Sequence, residues 1–376
     1  MYFGHANLLF IWNLKILIMK RVKILGAGLS GMTAAINLAK EGYDVKIFEK
    51  SSDCGKRFNG DFQGFENNPN HRDALEDLKS MNIKINFYYE PFYKSKIYTP
   101  NLRNAEMSNK KPIFYLVRRG SAKDCLDMAL KRQAMKLGVD IEFNKRVSED
   151  KVDIIATGPK RVSILASGIT FKTRMKKYSI NMIDDSIAPK GYAYLLIHKG
   201  RGTLATVLVK DAKNIETYLE RTIKTFQSIS SFDMRDVRHF SGYGNFFFPK
   251  KYEKNGKLLV GESAGLQDFL AGFGMRYAIT SGYLAARSII EKKSYDRLIK
   301  KSLVGQIKSS LANRILFEKL GNAGYNLSLG KSLSNRAFNF MESDYSKSVL
   351  KMLIYNFFNL SEKLHNNSKD GFSLKK

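Results

Sequence analysis

Residues 21–50 read RVKILGAGLSGMTAAINLAKEGYDVKIFEK, in which an apolar strand, a glycine turn, a helix and a second strand ending in an acid follow one another directly. Met32, Ala35, Ile36, Leu38 and Ala39 recur at helical spacing, and Gly42 closes the helix before the next strand. Gly26 stands where a tight turn is needed, Gly28 where backbone must approach a pyrophosphate, and Gly31 with Ala35 where the helix must lie close on the sheet. Leu29 and Ser30 open the helix, whose unpaired N–H groups and positive dipole end favour anionic oxygens. Glu49 follows Gly28 by 21 residues. A carboxylate there can accept hydrogen bonds from ribose hydroxyls and would repel a 2′-phosphate, so the unit suits FAD or NAD better than NADP. Lys50 beside it is a further candidate contact.

The chain has 376 residues, and 44% of them are hydrophobic, enough for a sizeable core in one large domain with insertions or in two subdomains. Cys54 and Cys125 are far apart and outside any CxxC pair, which argues against a disulfide framework or a zinc site and for an intracellular, cytoplasmic protein. The five histidines are scattered without ligand spacing, so no metal is expected. A net charge of +28 implies an anionic partner, either lipid head groups or nucleic acid, unless it reflects only a lysine-rich composition. No basic stretch is interleaved with a stacking motif, which disfavours nucleic acid. The opening MYFGHANLLFIWNLKILI is broken by Asn13 and Lys15, too short to span a bilayer comfortably and unlike a signal peptide, so residues 1–18 are read as an upstream extension or a weak membrane-contacting arm.

Further along, FYLVRRG leads into a helical pattern over SAKDCLDMALKRQAMKLGV, and KVDIIATG forms a strand ending in Ala156, Thr157 and Gly158, which returns to the nucleotide-binding sheet. Val147 precedes that strand as a candidate contact. Runs such as YAYLLIH, GTLATVLV and FFFP suggest an antiparallel sheet over 166–249. KLLVGESAGLQDFLAGFGMRYAITSGYLAARSIIEKK then reads as strand, glycine loop and long helix, in which Ala278, Ser281, Gly282, Ala285 and Ala286 permit close packing. Residues 297–376 read as mostly helical and basic, with 14 Lys/Arg against 5 Asp/Glu, net +9, and an apolar run from Val349 to Leu360. The expected fold class is α/β, a Rossmann-like FAD-binding domain with an inserted, mostly antiparallel substrate sheet and a helical C-terminal region. We expect the cofactor domain over 19–65, 112–165 and 250–296, the substrate domain over 66–111 and 166–249, and the basic region over 297–376.

GAGLSG…FEK early in the chain, paired with VGESAGLQDFLAGFGMRYAITSG late, resembles the flavoprotein family that contains para-hydroxybenzoate hydroxylase and the geranylgeranyl reductases, the reductase branch more closely. Gly261, Ala264, Gly265, Gly272, Gly274, Met275, Arg276, Tyr277 and Ala278 follow that branch's late motif in order. The resemblance, over roughly residues 20–290, implies FAD as cofactor and Arg119 beside the flavin, with Arg57 as a second contact. Two positions depart from the family's pattern. Glu262 stands where Asp is usual, and its carboxylate is still expected to reach a ribityl hydroxyl. The aromatic Y-x-W-x-F-P stretch of the substrate sheet is replaced by Gly191, Tyr192, Ala193 and Tyr194 followed by LLIH.

These readings lead to an FAD-dependent oxidoreductase that passes hydride to a double bond of an isoprenoid or lipid substrate, with Tyr192, Tyr194 and Tyr243 as pocket walls and no catalytic residue or proton donor assigned. A nicotinamide cofactor or a redox protein would supply electrons, and an anionic membrane surface is a candidate partner. A flavin-dependent monooxygenase of small aromatics and a basic flavoprotein acting on nucleic acid stand as alternatives.

Overall fold

The computed structural model describes residues 20–67, 72–328, 348–356 and 372–373. Residues 1–18, read as an extension, and much of the basic tail lie outside them. Strand β1 (Arg21–Leu25) runs parallel to β2 (Asp44–Phe48) on one side and to β9 (Ile154–Ile155) on the other. Beyond β2 lies β8 (Asp140–Glu142), and beyond β9 lies β17 (Lys257–Leu259), both parallel, with β16 (Glu253–Lys254) as an antiparallel edge. The chain leaves β1 toward β2 and returns on the opposite side as β9, which makes β1 the switch point of an open parallel sheet. Ligands bind at the carboxyl ends of strands flanking such a point.

Helix α1 (Leu29–Lys40) has all of Leu29 to Leu38 buried, because it is covered on several sides. A helix buried all round must be apolar or internally satisfied in polar groups. Here Thr33 Oγ1 donates to Leu29 O at 2.7 Å, and Asn37 Nδ2 donates to Thr33 O at 2.9 Å and to Met81 O at 3.0 Å, which ties α1 to the end of α2 (Ala74–Ser80). Among its neighbours are α3 (Leu126–Lys136) and α5 (Met275–Glu291). Gly282 of α5 rests on the Ser30 carbonyl so closely that a Cβ there would collide with it, the close approach that the small residues of α5 were expected to allow.

The larger sheet has the order β14 (Arg235–Gly244), β10 (Ile164–Lys172), β13 (Arg201–Leu208), β12 (Tyr192–His198), β11 (Lys177–Met182), β5 (Lys94–Tyr98) and β6 (Asn104–Ser108), antiparallel except at β11–β5. A third sheet joins β3 (Phe62–Glu66), β7 (Phe114–Arg118) and β4 (Tyr89–Phe92), and a short strand β15 (Phe247–Phe248) lies apart from it. This pairing corrects the expected boundaries. The limit at 65/66 cuts through β3 and that at 165/166 through β10, and 66–111 is not one unit, since β4 pairs with β7 while β5 and β6 join the larger sheet. Hydrogen bonding between strands distant in sequence sets these divisions, and no local pattern encodes it.

A second correction concerns residues 166–249, where the sheet is interrupted by α4 (Ile215–Ile229). Leu219, Thr222 and Phe226 recur at helical spacing and are buried, a signal present in IETYLERTIKTFQSI. Leu219 and Phe226 share a core with Ile180, Leu195, Ile197 and Leu204, so α4 covers one face of the larger sheet. The other face is left to the site. Downstream, α6 (Tyr295–Ile299) is capped by Ser294 Oγ and passes through a π-helical turn at Lys300–Val304 into α7 (Gly305–Ser328), which breaks at Gly321. A helical stretch at 349–356 docks on α7 through the fully buried Lys351, whose Nζ bonds Ser309 Oγ at 2.7 Å. No helix among the described residues is long and apolar enough to cross a membrane.

Candidate functional site

A cleft of about 1080 Å³ opens at the carboxyl ends of β1, β2 and β9 and extends between the three sheets. Its first part is the groove around the glycine turn. Gly26 has φ +109°, and a Cβ on it would collide with the Ala156 carbonyl, so this glycine serves the crossing of β1 and β9. Gly31 likewise abuts the Gly26 carbonyl. Gly28 differs: it lines the cleft with φ −78°, and a Cβ there would meet nothing within 4 Å. Nothing in the fold requires a glycine at 28, so the missing side chain leaves room for a bound group. Leu29 and Ser30 line the cleft at the start of α1, where no side chain caps the helix and no acid occupies its first turn. The N-terminal dipole end is thus left to an external anion.

Glu49, at the end of β2, accepts from Ala27 N at 2.8 Å through Oε2 and from Ser51 N at 2.8 Å through Oε1. Both bonds hold the carboxylate on the wall of the groove. Lys50, Val147, Ala156, Thr157 and Gly158 line the same part of the cleft. Gly31, read as a packing glycine, and Gly261 of the late motif do not line it. Gly31 is packed behind the turn, and Gly261 (φ +61°) is packed against Ser30 Oγ, because both are consumed by the approach of α1 to its neighbours.

Glu262, Gly272, Gly274 and Met275 line the opposite wall, with Gly274 capping α5 so that this second helix start also faces the cleft. Arg57 Nη1 pairs with Glu262 Oε2 at 2.6 Å, and its Nη2 donates to the Tyr243 carbonyl, with the guanidinium 4.9 Å from the Tyr243 ring. Arg57 therefore joins the loop after β2 to the late glycine motif, 205 residues away.

Arg119 is buried on the cleft wall, where Nε and Nη2 both bond Asp127 at 2.9 Å, a bidentate pair. Its guanidinium lies 4.0 Å from the Phe58 ring centroid. Burial works against the Arg119 charge, and the carboxylates of Asp127, Asp61 and Glu262 together more than offset it, so the guanidinium is held above its ordinary range. Its neighbour Arg118 turns the other way, to Asp124 at 2.6 Å, as alternation along β7 requires. The Cys54 thiol is pushed up to about 12 by burial, with Asp53 adding to the effect, which leaves it an inert buried group.

Beyond the groove the cleft becomes an aromatic chamber. Tyr192, Tyr194 and Leu196 of β12 face into it, while the alternate residues Ala193, Leu195 and Ile197 face α4. Tyr192 Oη donates to Ala271 O at 2.6 Å, which anchors the glycine loop before α5 to the sheet. Tyr243 lines the cleft at its partly exposed rim. Gly64, Glu66, Phe114 and Phe273 also line the chamber, and none of them was singled out from the sequence. For Gly64 and Glu66 the signal was the alternation of FQGFE, which places both on one face.

The sequence model of an NAD(P)-binding Rossmann-like domain matches residues 24–61. No curated protein matches the chain by sequence. Among solved structures, a geranylgeranyl bacteriochlorophyll reductase-like protein from Thermoplasma acidophilum superposes with a TM-score of 0.64 at 18% identity, over 92% of this chain and 99% of that one. The flavin-dependent brominase Bmp2 gives 0.59 at 14% identity, over 91% and 99%. The fold is one that flavin-dependent enzymes use. The p-nitrophenol 4-monooxygenase PnpA from Pseudomonas putida shares it as well, with a TM-score of 0.56 at 14% identity over 93% of this chain and 100% of that one. Both the groove at Gly28 and the shared fold agree with FAD as the cofactor.

Proposed function

We propose that this chain is an FAD-dependent oxidoreductase that reduces a carbon–carbon double bond of an isoprenoid or similarly elongated apolar lipid. The observation that carries the reading is a single cleft that joins the Gly28 groove to an aromatic chamber. Gly28 and the start of α1 would receive the pyrophosphate, Glu49 the ribose hydroxyls, and Glu262 with the start of α5 the flavin side. Bound FAD would supply the two-electron carrier, with a nicotinamide cofactor or redox protein as its source of electrons. Tyr192, Tyr194 and Phe114 would hold an apolar chain and keep water from it. The fold's use in a reductase-like protein from Thermoplasma acidophilum supports the isoprenoid class.

The test is anaerobic. Protein bleached by dithionite and mixed with geranylgeraniol should regain its yellow absorbance while a double bond is lost. Reoxidation only with oxygen and a small phenol would replace this reading with a monooxygenase.

Glu49→Ala is expected to lower flavin retention by about 1.5–3 kcal/mol for each charge-assisted ribose hydrogen bond lost, read as a weaker Kd in flavin titration of the apoprotein. Unchanged affinity would remove Glu49 from the site. Peripheral binding to an anionic lipid surface is part of the same proposal, since Val349, Leu350 and Leu353 stand exposed on the helix at 349–356. Lys351 is spent in the interior, so the remaining basic residues would have to supply the attraction, about 1 kcal/mol each near the surface. Co-sedimentation with anionic liposomes that is lost in high salt is the expected result, and absence of binding at every salt concentration would remove it.

A further inference from the structure

Glu66 is a carboxyl without a hydrogen-bond or ion-pair partner among the described residues, and it lines the chamber, as do Phe114, Phe273 and Tyr192. Its place follows from β3. Glu66 pairs with Phe114 in register and Gly64 with Leu116, so the two lie on the face that also holds Phe62, Leu116 and Phe114. Phe65 turns into the main core instead. Gly64 comes close to both Phe114 and Phe273, which locates this end of β3 against the glycine loop that precedes α5. The carboxyl there is half-buried and has no cation paired with it among the described residues.

The groups around it are few. Asp268, in the loop before α5, is the like charge that bears on it, and Arg276 at the start of α5 is the cation that does. Arg276 is bound to Asp77 of α2 at 3.1 Å, so much of its charge is already answered. Tyr277 and Tyr192 contribute phenols held neutral by burial. Asp73 of α2 is tied to the Tyr115 hydroxyl at 2.7 Å and to Leu75 N at 2.9 Å. Desolvation, with Asp268 adding to it and Arg276 opposing, raises the Glu66 carboxyl to about 7. A large share of the carboxyl is therefore protonated at neutral pH.

We propose that Glu66 is the proton donor of the chamber. This rests on the reading of the cleft as a double-bond reductase. The substrate double bond takes a hydride, supplied by reduced flavin, at one carbon and the Glu66 proton at the other. The Glu66 O–H bond breaks and a C–H bond forms, its former bonding pair stays on the carboxylate, and water reprotonates it between turnovers.

Infrared titration of the purified protein tests the first half. A protonated carboxyl band should vanish with a midpoint near neutral pH and be missing from Glu66→Gln. Anaerobic reoxidation by geranylgeraniol tests the second. The wild-type rate should fall as pH rises through the Glu66 titration. Glu66→Gln should be at least tenfold slower and flat with pH at unchanged flavin content, and Glu66→Asp should recover part of the rate. Absence of the band, its survival in Glu66→Gln, or a variant with the wild-type rate and pH profile would overturn the assignment. A band present and assigned, with no reoxidation by geranylgeraniol, would instead overturn the reductase reading, and the donor role with it.

Discussion

Gly28→Leu is expected to yield folded protein that has lost its flavin. The backbone at 28 is extended and the position opens on the cleft, so the fold tolerates a side chain there. The new side chain would occupy the space assigned to the pyrophosphate. An overpacking cost of about 1–3 kcal/mol would already reduce affinity by about five- to 150-fold. Gly26→Leu supplies the contrast. It combines φ +109° with a collision against the Ala156 carbonyl, and is expected to damage folding itself. The measurement is flavin absorbance per protein alongside a thermal melt. A Gly28→Leu protein with full flavin and an unchanged melt would remove the groove from the cofactor site.

Asp127→Ala is expected to cost about 3–5 kcal/mol of stability, because it leaves the buried Arg119 guanidinium without its carboxylate. Asp127 Oδ2 also accepts from Gly120 N at 3.0 Å, so a buried backbone donor is orphaned at the same time. Replacing both partners with leucine should be far milder than the single change, since the penalty lies in the uncompensated charge more than in the loss of the pair. Urea unfolding of the two variants decides the matter. A single-variant loss below about 1 kcal/mol would mean that water reaches Arg119 from the cleft and that the pair behaves as a surface ion pair.

The glycine turn, Glu49 and the late GFGMRYA motif were all legible in the chain, and they meet in one cleft. Gly31 was legible as a packing glycine and serves as one, while Gly261 was legible only as part of the late motif, because sequence shows that a side chain is missing without showing which neighbour needs the room. Arg57 could be noted only as a second contact, since its partners Glu262 and Tyr243 come from two other elements. The helix α4 was hidden among β-rich runs, although Leu219, Thr222 and Phe226 carried its period. Glu66 was passed over entirely. A single acid in an alternating strand reads as solvent-facing until the opposite wall is known.

By itself the sequence determined the strand, turn, helix and strand of residues 21–50, because every interaction that specifies that unit is local: the apolar period, the glycine conformations and the spacing of Glu49 from Gly28. It also determined that a second glycine-led helix would follow late in the chain. Tertiary structure alone decided which faces of β3, β7 and β12 look at one another across the chamber. Strand alternation offers two faces, and the choice depends on which one α4 and the main core cover. That choice puts Phe65 in the core and Glu66 in the cleft. Desolvation there, an effect of surroundings drawn from distant parts of the chain, raises the carboxyl of an ordinary glutamate above its usual range.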